Sequence, residues 1–235
     1  MAAKANIPTP WKYHQLLGWV TFAVMAAAVY LIFMWVPNEK IQGPVSKIIY
    51  FHVASAWLGF FAFFVVMVAG IAYLKTKDPK WDVLSYASAE IGVLFTTIVL
   101  LTGPIWGRAS WNAWWTWDHR LTTTLVLWFI YVAYLMIRAS VDEEEKRARY
   151  AAIFGIIGFI DVPVVWMSIR WWRTIHPTIV SGEGFAMAPS MVKTLLVSIA
   201  AFTLLYFYLL QKGMFVQRVK SEVAAAKNRL RNRFN

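Results

Sequence analysis

The sequence contains no cysteine. A disulfide framework, a thiolate metal site and a redox dithiol are all excluded by that one absence. Charge is scarce as well. Asp, Glu, Lys and Arg make up 15% of the 235 residues, against about 25% in ordinary soluble domains. What charge there is leans to one sign, with 23 basic and 12 acidic residues and a formal net charge of +11. Internal repeats and a second domain are absent too. In their place stand hydrophobic residues, 60% of the chain, with 14 Trp among them. Few soluble domains could hide so much apolar surface. The apolar runs are long and nearly free of charge, as bilayer spans must be. The expected fold is an all-α integral membrane protein, one domain over residues 1–235 with six transmembrane helices.

The spans follow in order. Leu16–Val36 is the first; its apolar stretch is too long for a cleaved leader, so it is read as a mature helix. Pro44 suits the start of the second helix, and Val45–Leu74 would reach about 45 Å at 1.5 Å per residue. Since the hydrocarbon core is about 30 Å thick, this helix must tilt or protrude. Ser85–Leu101, Leu121–Ile137, Tyr150–Ile169 and Met191–Leu210 complete the six. Residues 212–235 form a basic tail, helical at first and frayed at its end.

Lys and Arg set the orientation. The amino arm, the connectors after spans two and four, and the tail hold 16 of them, and the opposite side holds 7. The positive-inside rule places both termini in the cytoplasm. In the same light the basic excess signals topology and lipid headgroups, and nucleic acid is not expected as a partner.

One stretch organises the chain. Residues 103–122, between spans three and four, read Gly-Pro-Ile-Trp-Gly-Arg-Ala-Ser-Trp-Asn-Ala-Trp-Trp-Thr-Trp-Asp-His-Arg-Leu-Thr. Gly103-Pro104 is expected to end the preceding helix, since Pro lacks an N–H. Ser110 would then cap a short helix. On that helix Trp111, Trp114, Trp115 and Asp118 would share one face. An interfacial aromatic belt explains one or two tryptophans at a helix end. Trp106, Trp111, Trp114, Trp115 and Trp117 are five within twelve residues, which suits a shelf for a flat hydrophobic ligand.

Four histidines are present. His14 lies at the cytoplasmic end of the first span. His52 opens the second span from the outer side. His176 precedes Pro177, which biases it towards an extended loop, and His119 adjoins the shelf. Two outward histidines beside an aromatic shelf fit a planar ligand with a metal at its centre, and haem is such a ligand. Neutral imidazole is an ordinary axial ligand for its iron. A covalent c-type haem of its own is excluded, because Cys-x-x-Cys-His is missing. The propionates would need cations, and Arg108, Arg120, Arg170 and Arg173 lie on this side. Asp118 could orient a histidine, pair with Arg120 or meet the ligand. Asp161, beside Pro163, and Glu90 are the intramembrane carboxylates. Asp161 is as well explained by backbone freed at the proline as by function, and Glu90 by snorkelling.

The run Thr102-Gly103-Pro104-Ile105-Trp106-Gly107, with Trp111, Trp114-Trp115-Thr116-Trp117-Asp118 and Arg120-Leu121-Thr122, resembles the tryptophan-rich WWD signature of haem-handling membrane proteins. With six spans, Asp161-Val162-Pro163 and Trp171-Trp172-Arg173-Thr174-Ile175-His176, the chain is similar to the haem exporter protein C family of cytochrome c maturation. The resemblance covers about Tyr13 to Leu210 and departs at Asn112 and His119. It implies a bacterial inner-membrane protein, not an enzyme, with haem b held non-covalently at the periplasmic face. The axial ligands would be His52 and His176. Trp106, Trp111, Trp114, Trp115, Trp117 and Asp118 would contact the ring, with Arg108, Arg120 and Arg173 near it. The haem would pass to a membrane-anchored haem chaperone. ABC transporter subunits and a small single-span protein would complete the assembly. The alternatives are a membrane b-type cytochrome and a permease subunit conducting haem through its own bundle.

The charge split predicts where tags go. A reporter fused after Asn235 should be cytoplasmic, and one inserted at Gly182 should be outside. Either in the opposite compartment would separate the termini from the side assigned to them.

Overall fold

Among the described residues, 13–177, 179–181 and 184–234, the computed structural model contains seven α-helices and a two-residue hairpin. The arm with Lys4 and Lys12, and Gly182, lie outside the described residues. Helix α1 (His14–Tyr30) ends in a wide turn over Leu31–Trp35. A tight turn at Pro44–Lys47 leads into α2 (Ile48–Thr76). Then come α3 (Pro79–Trp111), α4 (His119–Ser140), α5 (Glu144–Gly158) and α6 (Asp161–Trp171). Strands β1 (Val180–Ser181) and β2 (Gly184–Phe185) pair antiparallel ahead of α7 (Pro189–Phe234). Taken with its terminal turn α1 is one membrane-length helix, and α5 with α6 makes another. Six helices are thus long and apolar enough to cross a membrane.

Helix α2 is the axis of the bundle and packs on α3, α5 and α7. Its buried face carries small residues, Ala54, Ser55, Gly59, Ala62 and Gly70. In lipid, helices gain nothing by hiding apolar surface from one another, so close packing and interhelical hydrogen bonds must hold them. Gly92 of α3 shows how close the approach is: a Cβ there would overlap Phe63 Cε1. Phe63 in turn stacks on Tyr131 of α4, with ring centroids 3.6 Å apart. Ser88 donates to the Ala62 carbonyl at 2.8 Å, which leaves its oxygen to accept from Tyr206 OH of α7, also at 2.8 Å. Trp128 Nε1 donates to Thr97 Oγ1 at 2.8 Å, tying α4 to α3.

The bundle end away from the tryptophans is closed by an ion pair. Arg138 of α4 meets both oxygens of Asp82 of α3, Nη2 at 2.8 Å from Oδ2. The side chains are 7% and 17% exposed. The guanidinium also lies 4.5 Å from the centre of the Tyr86 ring. An Arg so enclosed needs its carboxylate, because a buried charge left alone is costly.

Four local expectations are corrected. Helix α3 does not end at Gly103-Pro104 but runs through them to Trp111, where Asn112 adopts a left-handed φ of 57°. The proline forfeits a single donor, its own missing N–H. Where no water competes for the backbone, the rest of the helix holds. Ser110 is therefore inside α3 and caps nothing. Residues 113–118 are not helical, so Trp111, Trp114, Trp115 and Asp118 share no helical face. The tail also differs: α7 stays helical to Phe234. At 1.5 Å per residue its 46 residues reach about 69 Å, well past a hydrocarbon core of about 30 Å.

Removing one partner of the closing pair tests its weight. Arg138→Ala should cost about 3 kcal/mol, the usual scale for an uncompensated buried charge, and lower the unfolding temperature in detergent. Asp82→Ala combined with Arg138→Ala should recover part of that loss. A double variant worse than the sum of the singles would contradict this account.

Candidate functional site

Three segments meet at the tryptophan end of the bundle: the turn before α2, the segment 112–118 and the segment 172–177. Each is fixed by its own hydrogen bonds. In the first, Glu39 Oε2 accepts from the backbone of Ile41 at 2.8 Å and Gln42 at 2.7 Å. Those amides hold the Glu39 carboxyl below the usual carboxylate range. The turn presents Gln42, whose Oε1 accepts from Trp106 Nε1 at 3.1 Å and whose Nε2 donates to Ser110 Oγ at 3.2 Å. Gln42 thereby orients one indole of the wall.

Asp118 joins the other two segments. Its Oδ1 accepts from Arg120 N at 2.9 Å, which caps α4. The same oxygen accepts from Thr174 Oγ1 at 2.8 Å, and Oδ2 accepts from Ile175 N at 3.3 Å. Thr174 Oγ1 accepts in turn from His176 N at 3.0 Å. The carboxylate therefore holds the histidine loop.

Between segments 112–118 and 172–177 and helices α2, α3, α4, α6 and α7 lies a cavity of about 310 Å³. His52, His176, Trp106, Trp111, Trp115 and Arg120 line it. Trp106 and Trp111 meet edge to face, with centroids 5.2 Å apart. Two features of the wall ask for a polar ligand atom. Trp115 Nε1 is buried with no hydrogen-bond partner. Arg120 donates to the carbonyls of Val165 at 3.1 Å and Trp166 at 3.3 Å, and forms no ion pair among the described residues. Arg170, with its guanidinium 5.7 Å from the centre of the Trp166 ring, lines the cavity as a second cation.

Both histidines are held at one ring nitrogen. His52 Nδ1 lies 2.8 Å from Thr102 Oγ1, and His176 Nδ1 lies 3.2 Å from the Pro177 carbonyl. Burial first, and the Arg120 charge second, push the His176 imidazole down to about 4. The ring is thus neutral over the physiological range, the form that ligates a metal.

The remaining expected site residues lie off the cavity wall. Trp114 and Trp117 are 60% and 70% exposed. Trp117 has a φ of 53°, a strained region for a bulky side chain. Arg108 is spent at the end of α3, where it donates to the Asn112 carbonyl at 2.8 Å and to its side chain. Arg173 is exposed. Asp118 does not line the cavity but braces its mouth. His119 is exposed and sits 5.1 Å from Trp172, ring to ring, while His14 lies at the far end of the bundle. Residues outside the sequence argument enter instead, namely Thr102, Gln42 and Trp166. Thr102 stood inside the quoted motif, but the hydrogen bond it makes crosses 50 residues. Asp161 begins α6, with Oδ2 buried and unpartnered. Glu90 is reached by Gln217 Nε2 at 3.4 Å.

The family model described as "Heme exporter protein C" matches residues 4–231. This chain belongs to the haem exporter protein C family. The Heme exporter protein C of Bradyrhizobium diazoefficiens is 35% identical over 209 residues, covering 86% of this chain and 80% of its own. A "putative cytochrome c biosynthesis ccmC-like mitochondrial protein" of Marchantia polymorpha is 34% identical, covering 88% and 89%. The Heme exporter protein C of Escherichia coli is 33% identical, covering 73% of each chain. The match to the haem exporter protein C family spans the two segments, 112–118 and 172–177, that contribute to the cavity wall.

The cavity environment of His176 can be read directly. In a ¹⁵N NMR titration the imidazole should protonate near pH 4. Because the folded pKa is depressed, any stability tied to the neutral ring is present above about 6.5 and fades as pH falls towards 4. Arg120→Gln removes the second cause, so the midpoint should rise while staying below the ordinary value. A midpoint at the ordinary value in the unaltered protein would put His176 in solvent.

Proposed function

We propose that this protein binds haem b non-covalently at the outer face of a bacterial inner membrane and hands it to a membrane-anchored haem chaperone for c-type cytochrome assembly. Membership of the haem exporter protein C family supports a role in haem handling for cytochrome c biogenesis. The observation that carries the finer reading is the cavity, where two histidines, five tryptophans and two arginines that form no ion pair among the described residues line one apolar space.

On this reading His52 and His176 are the axial ligands, and the ligating atom of each is Nε2, the ring nitrogen left over by the bonds at Nδ1. Trp106, Trp111 and Trp115 cover the macrocycle. Arg120 and Arg170 meet the propionates, and Trp115 Nε1 offers a further donor. Of the wider residue set, Asp118 serves by holding the loop of His176. Trp114 and Trp117 face outward, where the chaperone would dock, and Arg108 and Arg173 stand at the rim. The protein's own contribution is positioning and shielding, with no covalent bond made or broken. The termini and basic tail are assigned to the cytoplasm, where ABC transporter subunits and a single-span partner would assemble. Anionic lipid headgroups would also meet the tail.

The visible spectrum of the purified protein tests this reading. It should show six-coordinate, low-spin haem. His52→Ala and His176→Ala should each shift the spectrum to a five-coordinate form and reduce loading of the chaperone. His119→Ala should leave the spectrum unchanged. Loss of the low-spin spectrum in His119→Ala, with His176→Ala unaffected, would move the second ligand to position 119. Rapid quinol oxidation through the haem would instead mark an electron-transfer subunit.

A further inference from the structure

The contact between His52 and Thr102 fixes more than a distance. A threonine hydroxyl has one proton and two acceptor sites. Thr102 Oγ1 lies 2.7 Å from the Ile98 carbonyl and 3.4 Å from the Val99 carbonyl, one and the other a turn below it on α3. Carbonyl oxygens only accept, so a Thr102 proton directed at Ile98 leaves the hydroxyl to accept from His52 Nδ1 across their 2.8 Å contact. A neutral imidazole carries one N–H. If that N–H is at Nδ1, then Nε2 is left with its lone pair.

The surroundings agree with that assignment. His52 Cε1, the carbon between the two nitrogens, passes over Gly103, where a Cβ would stand 3.5 Å away. Gly103 and His52 both line the cavity. The bonded edge of the ring thus faces α3, while the ring also borders the cavity. His176 arrives at the same tautomer by a different route, since its Nδ1 partner is the Pro177 carbonyl. The two are not equivalent. The Pro177 carbonyl is backbone beside His176 itself, whereas Thr102 is a side chain on a neighbouring helix. Only the His52 tautomer depends on a residue that a single substitution can remove.

We propose that Thr102 is a positioning residue that holds His52 as the Nδ1–H tautomer, so that Nε2 is presented to the cavity as the haem-iron ligand. The ligand part of this proposal rests on the haem-binding reading above. Metal-ligating histidines generally donate their second N–H to an acceptor, which fixes ring and tautomer and raises the basicity of the ligating nitrogen. A more basic ligand favours ferric over ferrous iron. Thr102 should accordingly lower the midpoint potential of the bound haem as well as tighten its binding.

The test uses the full-length protein in detergent, with Thr102→Val as the near-isosteric change and Thr102→Ser as the conservative control. In the haem-free protein, ¹⁵N–¹H correlation spectra at neutral pH should show His52 as the Nδ1–H tautomer. Thr102→Val should lose that preference and Thr102→Ser should keep it. With haem bound, Thr102→Val should weaken ferric haem binding by about 10–100-fold, the usual scale for loss of such a partner. It should also raise the midpoint potential, and Thr102→Ser should restore both. An Nε2–H tautomer of His52 in the unaltered protein overturns the proposal. So does a Thr102→Val variant that matches the unaltered protein in tautomer, affinity and potential. An unaltered protein with the Nδ1–H tautomer but no low-spin haem spectrum overturns the haem-binding reading and the ligand role of His52 with it, while the tautomer result stands.

Discussion

The carboxylate of Asp118 is the bond on which the architecture of this site depends. It takes three donors from two parts of the chain: the first turn of α4, and Thr174 and Ile175 ahead of the second cavity histidine. Hydrogen bonds to an ionised acceptor are worth more than neutral ones, about 1.5–3 kcal/mol each. Without them, residues 113–118 and 172–177 would be two irregular segments, with no shared strand or helix to align them. With them, the tryptophans that follow α3 and the histidine that follows α6 form one cap over the bundle. The cavity lies between that cap and helices α2, α3, α4, α6 and α7.

The cavity's electrostatics follow from the same arrangement. Capping α4 with Asp118 places Arg120 two residues on, where its side chain enters the cavity wall and donates to backbone carbonyls. Among the described residues that guanidinium forms no ion pair. Its charge also discourages protonation of His176, so the cation and the neutral imidazole support one another. On the proposed function, one cluster would favour the ligand's carboxylates and keep a base free for its metal.

Some of this was legible in the sequence, and the division has physical causes. The spans were readable because the bilayer forbids charge over about 20 residues, and that constraint leaves a plain mark in composition. The nearness of His52, His176 and the tryptophans could be inferred from which side of the membrane each connector lies on. The end of α3 could not. Pro104 breaks helices in water, where freed backbone finds new partners, but not where no competitor exists. Once α3 continued to Trp111, the phase of everything after it changed, and Trp114 and Trp117 turned outward while Trp115 stayed in the wall. The division among the arginines was also hidden. Arg108 is consumed by the carbonyl end of its own helix, and that depends on where the helix ends. Thr102, Gln42 and Trp166 act through contacts between helices distant in sequence, and no periodicity records those.

The two histidines stand on supports of different stiffness, and on the proposed function that asymmetry would suit transfer better than storage. His52 belongs to α2, the helix packed on three others, and its ring is bonded to α3. It cannot leave the cavity without dismantling the core. His176 stands on six irregular residues whose grip on the rest of the site runs mainly through Asp118. Opening that loop requires breaking the contacts of one carboxylate to Thr174 and Ile175, a cost of a few kcal/mol, while every membrane helix stays in place. A carrier that must hold a ligand and then release it needs one fixed contact and one that yields at modest cost. If both histidines were on packed helices, release would compete with the fold. If both were on loops, there would be no preformed cavity to receive the ligand.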